Sequence, residues 1–399
     1  MPNETITAPQ GFRAGAAAAG IKTKRGELDV GVIVADTLCS AAAVFTRNRF
    51  CGAPVVVGRE HVAHGRLRAV VVNSGCSNVA TGQRGIADAR EMCKLTAERI
   101  GADPTEVLPA STGVIGHFLP MDKIRRGINA AIKDLSDSAE AGERFNRAIM
   151  TTDLKMKQAF ERVRIGGQPV SIAGCCKGSG MIAPNMATML AYITTDAEVP
   201  PRLLRALLRR AVEPTFNRVT VDECPSTSDT VAILASGLGA RLAASRDVAA
   251  FGDALQSVCA RLAYAIAEDG EGATRVLEII VDGAKTPRDA HRAARAIAVS
   301  PLVKTAVHGG DPNWGRIVQA LGATDVEFDP ARVTVWLDKT RLFSRGAPAR
   351  NLDLKKLSKL MRRKHVSVRV HLDAGEYRDR ILTCDLSRQY IAINADYHT

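Results

Sequence analysis

Apolar residues along the chain fall into two patterns: short unbroken runs, and longer stretches with three- and four-residue spacing. The runs Val30–Ala35, Val55–Val57 and Ala69–Asn73 are rich in β-branched residues and predict buried strands, and Val163–Cys175 predicts a hairpin turning at Gly166-Gly167. Ile86, Ala89, Cys93, Ala97 and Ile100 recur on one side of a helix, which predicts Ile86–Ile100 as helical. Further helices are expected at Asp122–Ile132, Ala139–Met150, Pro201–Val212, Val248–Ala267 and Arg288–Ala298. Proline in the first turn of Pro201–Val212 suits a helix start, because that N–H needs no intrahelical partner. Strands are expected at Met189–Ile193, Val276–Val281, Arg332–Leu337, Val366–Leu372 and Arg380–Asp385, and as neighbours at Val219–Val221 and Thr230–Leu234. His308–Arg316 reads as a polar loop, and Ile391–Thr399 as a polar tail after a strand. The alternation lacks the regular spacing of a doubly wound sheet, so the expectation is an α/β protein of two domains or one large two-layer body.

Composition narrows the function classes. With 46% apolar and 24% charged residues among 399, the chain can bury a real core. The formal charge of +12 includes a basic cluster at Arg202, Arg205, Arg209 and Arg210 and another from Lys355 to Lys364. Aromatic residues are only 4% and no groove-reading motif accompanies the clusters, so solvated helix faces are expected and nucleic acid is not. Nine cysteines, an odd number with no CxxC pair, argue for reduced thiols and against a disulfide framework or zinc site. His61 and His64 have metal-compatible spacing but no companion ligands, so no metal is expected. Met1-Pro2-Asn3-Glu4-Thr5 has neither the basic nor the apolar region of a secretory signal, and no membrane-length apolar run occurs; a soluble, cytoplasmic protein is expected. In Lys177-Gly178-Ser179-Gly180 the lysine precedes the glycines, unlike a phosphate-binding loop, and no GxGxxG follows a strand; no nucleotide cofactor is expected.

Candidate chemistry concentrates in Cys176–Leu190. A Gly-rich, Lys-bearing loop leads to Ala187 and then to Thr188, which opens an apolar run. Attack of the Thr188 hydroxyl on the Ala187 carbonyl would break the chain and leave Thr188 with a free α-amine beside its hydroxyl, nucleophile and base on one residue. Read alone, the stretch is more simply a loop entering a strand, with Thr188 present for its β-propensity. Val107–Ser111 leads into Thr112-Gly113, where a glycine-freed backbone has the geometry an oxyanion hole needs, though a plain turn explains it too. Glu268–Thr274 is an acidic, glycine-punctuated loop that would place a carboxylate at a strand mouth.

Several of these loops together are specific. Ala110-Ser-Thr-Gly-Val-Ile-Gly, Lys177-Gly-Ser-Gly-Met-Ile, Asn185-Met-Ala-Thr-Met-Leu, Gly270-Glu-Gly-Ala-Thr, Asp311-Pro-Asn-Trp-Gly-Arg and Asn394-Ala-Asp-Tyr-His-Thr occur in this order, and the chain closely resembles the ornithine acetyltransferase family of arginine biosynthesis from Ile6 to its end. The resemblance implies an α/β layered fold distinct from the proteasome-like hydrolases. It implies self-cleavage between Ala187 and Thr188 into an α-chain (1–187) and a β-chain (188–399), assembled as α2β2. The reaction it implies is acetyl transfer from N2-acetylornithine to glutamate through an acetyl-threonyl enzyme, with acetyl-CoA as a further donor in some members. Carried over by position, Thr188 is the nucleophile, Thr112 and Gly113 form the oxyanion hole, and Thr151, Lys177, Thr188, Glu271, Asn394 and Thr399 bind substrate. The same acyl-enzyme used for hydrolysis, as an amidase or deacetylase, is the alternative. The chain departs from the family pattern at Cys76-Ser77-Asn78, at Leu154 and at Glu223-Cys224-Pro225, which bears on acceptor range and leaves the nucleophile and oxyanion positions intact.

Overall fold

The computed structural model describes residues 3–183 and 189–396, and the chain divides into two units, Met1–Asn217 with Pro225–Ile266 and Arg218–Cys224 with Ala267–His398. The first unit holds β1 (Phe12–Ala17), β2 (Val30–Phe45), α1 (Ala53–Val62), β3 (Arg66–Cys76), α2 (Gly82–Ile100), β4 (Val107–Val114), α3 (Met121–Lys133), α4 (Ala139–Ile149), β5 (Lys157–Ile165), β6 (Gln168–Lys177), β7 (Leu190–Thr195), α5 (Pro201–Val212) and β8 (Thr230–Ala235). The long helix α6 (Ser245–Glu268) closes it. Among the described residues its strands form one sheet in the order β4-β3-β2-β8-β7-β6-β5, with β1 on β2.

Strand β2 organises this sheet. Its first half pairs with β1 and β3, its second half with β8, and the register shifts between Val34 and Cys39. Because side chains alternate across a strand, Val30, Val32 and Val34 enter one core with Met92 and Cys93 of α2 and Ile124 and Ile128 of α3. Ile33 and Ala35 enter the other, with Phe145 and Ile149 of α4 and Tyr192 of β7. Both faces are covered, so the sheet strands read as continuous apolar runs. The β5–β6 hairpin turns at Gly166 and Gly167, both at positive φ (55° and 86°), as a two-residue turn of matching twist requires.

The second unit contains β9 (Val276–Ala284), α7 (Pro287–Val299), α8 (Pro301–Gly309), α9 (Trp314–Gly322), β10 (Thr334–Leu337), β11 (Thr340–Ser344), β12 (Ala347–Pro348), α10 (Leu354–Met361), β13 (His365–His371), β14 (Tyr377–Cys384) and α11 (Arg388–Asp396). Its sheet runs β12-β11-β10-β13-β9-β14, with β9 and β13 parallel. Leu277, Ile279 and Val281 of β9 pack in one core with Ala290, Ala293 and Ile297 of α7.

The expected α/β layering holds, and several local expectations are corrected. Val55–Val57 lies in helix α1: Gly52 precedes it and Pro54 occupies its first turn, which starts a helix despite three β-branched residues. Val219–Val221 is no neighbour of β8; it belongs to the second unit, where Val219 bridges Leu382. Most of the expected loop His308–Arg316 is helix end and helix start. Gly310 terminates α8 at φ 73°, and the Asn313 side chain accepts from Arg316 N (3.1 Å) to cap α9. The expected tail from Ile391 lies largely in α11, whose start is marked by Ser387 Oγ accepting from Gln389 N (3.1 Å).

Phe145 is wholly buried and meets Tyr192 edge-on, ring centroids 5.6 Å apart, joining α4 to the centre of the first sheet. Phe145→Ala is therefore expected to cost about 3–5 kcal/mol, read as a lower urea midpoint with an unchanged m-value.

Candidate active site

Strand ends of the first sheet bring Thr112, Gly113 and Lys177 together. Thr112 and Gly113 stand opposite Ser74 and Gly75 at the ends of the parallel strands β4 and β3. Strand β4 runs on through Thr112-Gly113, for which a plain turn is one reading of the sequence. Both strand ends are held by polar side chains: Ser111 Oγ donates to Asn73 Oδ1 (2.5 Å), Asn73 Nδ2 to the Cys76 carbonyl (2.8 Å) and Ser74 Oγ to the Ala148 carbonyl (2.6 Å). Gly113 has φ 127°, and a Cβ there would fall 2.4 Å from the Gly75 carbonyl carbon, so no other residue fits without moving the strand pair.

Lys177 ends β6 opposite Leu190, the first residue of β7, and Leu190 in turn stands opposite Thr230, the first of β8. The Lys177 side chain is buried, with Nζ 3.5 Å from Thr112 Oγ1. Electrostatic contact extends to Asp153, an aspartate that is not among the expected site residues. Asp153 Oδ1 accepts from Gly178 N (2.6 Å) and from Lys157 Nζ (2.7 Å), and Oδ2 accepts from Thr151 N (3.0 Å). One carboxylate thus ties the expected substrate residue Thr151 to the Lys177–Gly178 loop, and Thr152 Oγ1 pairs with Ser179 Oγ (2.7 Å) beside it. Burial acts to raise the Asp153 pKa, but the cations of Lys177 and Lys157 and the Gly178 N–H outweigh it and hold the carboxyl at about 2. Lys22 joins the same field: burial lowers its pKa, Glu27, Asp29 and Asp153 oppose that, and Lys177 adds to it.

A second aspartate was also missed. Asp229 is fully buried where the polar loop meets β8, and its Oδ1 accepts from Met189 N (2.9 Å). Its Oδ2 has no hydrogen-bond partner among the described residues. Burial pushes its carboxyl well above the usual range, against the hydrogen bond from Met189, the Ser226 and Thr46 side chains and the nearby Lys177 charge. Ala187, Thr188 and Thr399 lie outside the described residues.

Glu271 and Asn394 belong to the second unit and meet there: Asn394 Nδ2 donates to Glu271 Oε2 (2.9 Å) and to the Tyr390 carbonyl (3.0 Å). The loop carrying Glu271 is anchored by buried Asp385, which accepts from Thr274 N (2.7 Å), Thr274 Oγ1 (2.6 Å) and Arg275 N (2.9 Å).

The departures from the family pattern are accommodated locally. Cys76 Sγ donates to the His117 carbonyl (3.4 Å) and burial raises its pKa, which suits a structural thiol. Glu223 pairs with Arg295 (2.6 Å), and Leu154 is 82% exposed. His61 is a core histidine whose Nδ1 lies 2.8 Å from the Val107 carbonyl. Among the described residues no group of three or more His, Cys, Asp or Glu could hold a metal ion.

Because the folded Asp153 pKa is depressed, its stabilisation is present above the unfolded value and lost as pH falls through the folded one. Asp153→Asn is therefore expected to cost about 2 kcal/mol near pH 7, the gap to wild type closing between about pH 4 and pH 2. Urea titrations of both proteins across that range check it.

The ArgJ family profile matches residues 13–399. The arginine biosynthesis bifunctional protein ArgJ of Dehalococcoides mccartyi is 46% identical over 403 aligned positions, covering 100% of this chain and 98% of its own. The protein of the same name from Symbiobacterium thermophilum is 46% identical and covers 99% of this chain and 98% of its own. The crystal structure of arginine biosynthesis bifunctional protein ArgJ from Bacillus halodurans is 40% identical, with a TM-score of 0.45, covering 47% of this chain and 96% of that one. With the family match running nearly end to end and the relatives aligned over their full lengths, the chain belongs to the ArgJ family.

Proposed function

We propose that this enzyme transfers an acetyl group from N2-acetyl-L-ornithine to L-glutamate, releasing L-ornithine and N-acetyl-L-glutamate. The reading rests on membership of the ArgJ family, whose curated relatives are arginine biosynthesis proteins. One observation carries it to the residues: the buried Lys177 side chain, with Nζ 3.5 Å from Thr112 Oγ1, ends β6 opposite Leu190 at the start of β7, the strand that follows residue 188 in the sequence.

Self-cleavage between Ala187 and Thr188 generates the catalyst. The free α-amine of Thr188 has a reference pKa of about 8, so a useful fraction is neutral near pH 7 and takes the hydroxyl proton. Thr188 Oγ attacks the acetyl carbonyl, and Thr112 and Gly113 stabilise the oxyanion, each such donor contributing about 3 kcal/mol. The amide C–N bond breaks, the proton passes to the leaving amine of ornithine, and an acetyl-threonyl ester remains. The glutamate amine attacks the ester and restores the threonine, a ping-pong cycle. Lys177 binds the α-carboxylate common to both amino acids; Glu271, with Asn394, receives the ornithine ammonium; Thr151 and Thr399 complete substrate binding. No cofactor enters this scheme. The relatives' description as bifunctional supports a second activity, acetylation of glutamate from acetyl-CoA. We place the enzyme in the cytoplasm as an α2β2 assembly without nucleic-acid or membrane partners; no helix among the described residues is long and apolar enough to cross a membrane.

Thr188→Ala is the direct test. Wild type is expected to run as two chains on a denaturing gel and to acetylate glutamate from acetylornithine, and the variant to stay one chain with activity reduced at least 1,000-fold, or about 4 kcal/mol in the barrier. A variant that is cut and active would place the nucleophile elsewhere.

A further inference from the structure

Cleavage before Thr188 creates a demand that the uncut chain does not have. A nucleophile on a new chain terminus is tethered on one side only, and chain ends fray unless something ties them down. Acyl transfer tolerates little of that freedom, because a misplacement of about 1 Å costs on the order of a hundredfold in rate. Whatever fixes the residue after the nucleophile therefore fixes the nucleophile.

Met189 is held on both sides. Its N–H, part of the peptide group that joins it to Thr188, donates to Asp229 Oδ1 (2.9 Å), and its carbonyl accepts from Thr230 N (3.0 Å). The two partners are consecutive residues, so one short piece of chain grips Met189 at both ends. That piece is itself immobilised from the far side: Thr46 N donates to the Asp229 carbonyl (3.0 Å), Thr46 Oγ1 to the Ser226 carbonyl (2.6 Å) and Gly52 N to the Thr227 carbonyl (2.8 Å). Thr230 pairs into the sheet opposite both Leu190 and Phe45. The clamp is thus rooted in the end of β2 and the residues that follow it, Thr46 and Gly52, and not in the segment that is cut.

The choice of aspartate is otherwise hard to explain. A carboxyl group with no solvent exposure, one oxygen on Met189 N and the other beside the Ser226 and Thr46 hydroxyls without a well-formed hydrogen bond, is an expensive way to hold one backbone N–H. Nature retains such groups where the position they enforce matters. We propose that Asp229 is the positioning residue of the threonine nucleophile, holding the Met189 amide so that Thr188 keeps its place before and after the chain is cut. The proposal rests on the Thr188 reading above and adds to it a residue that acts through a hydrogen bond and not through its charge. Burial favours the neutral carboxyl, whose carbonyl oxygen accepts from Met189 while the hydroxyl remains. Asparagine reproduces that shape and that acceptor; alanine removes both and leaves the Met189 N–H unsatisfied.

The test compares Asp229→Asn and Asp229→Ala in the full chain, following cleavage by intact mass and, in the processed fraction, kcat and KM for acetylornithine and glutamate. Asp229→Asn is expected to cleave and turn over within threefold of wild type. Asp229→Ala is expected to cleave at least tenfold more slowly and, once processed, to lose at least tenfold in kcat with both KM values within threefold. An alanine variant that cleaves and turns over normally overturns the proposal. So does an asparagine variant as impaired as alanine, since charge would then be the requirement, and that arm decides the matter even if the alanine chain does not fold. A wild-type chain that is never cut at Ala187–Thr188 would instead refute the threonine mechanism itself, leaving the two failures distinguishable.

Discussion

The first unit depends on one buried carboxylate. Asp153 accepts hydrogen bonds from Thr151, Lys157 and Gly178, and so joins the end of α4, the start of β5 and the loop that leaves β6. Its charge is what allows two lysines, Lys157 and Lys177, to stay buried within one another's reach. Without it their ammonium groups would lose their principal counter-charge in a region of low polarisability, where an unpaired ion is far costlier than at the surface. The ion network is therefore structural first. Its consequence for chemistry is a Lys177 whose Nζ is held 3.5 Å from Thr112 Oγ1.

The sheet order gives cleavage a physical setting. Strand β6 precedes the expected cut and β7 follows it, yet the two are hydrogen-bonded neighbours from Ile172–Thr195 to Lys177–Leu190. Breaking the chain between them leaves that ladder intact, so the two products share one sheet and one core. The boundaries between the units fall after Asn217, Cys224 and Ile266, and none of them coincides with residue 188. The two aspartates then have separate tasks, one before the cut segment and one after it: Asp153 anchors the Lys177–Gly178 loop, and Asp229 anchors Met189.

Much of this was legible from residue patterns, and the failures have physical causes. Helix Pro201–Val212 was read to its last residue because its apolar spacing and its proline agree. The β5–β6 turn was found because Gly166-Gly167 supplies the positive φ that a tight hairpin needs. Val55–Val57 was misread because β-branched composition outweighed Gly52 and Pro54, the signals that begin a helix there. His308–Arg316 was misread because a C-terminal glycine stop and an Asn cap sit three residues apart, and their combined polarity resembles a loop. Thr112, Gly113, Thr151 and Lys177 were named by family resemblance, and the fold brings Lys177 to Thr112 and links Thr151 to the Lys177–Gly178 loop through Asp153. Asp153 and Asp229 escaped notice because nothing in a sequence distinguishes a buried anchoring carboxylate from a solvated one at a loop; burial and partners come only with the fold.

The central claim is that the residue immediately after the Ala187–Thr188 junction carries the acetyl group between two amino acids. Intact-mass analysis of the purified enzyme incubated with acetylornithine alone tests it most directly. The chain beginning at Thr188 should gain the mass of one acetyl group and lose it when glutamate is added. An acetyl group found on the other chain, or none under conditions of full activity, would contradict the account.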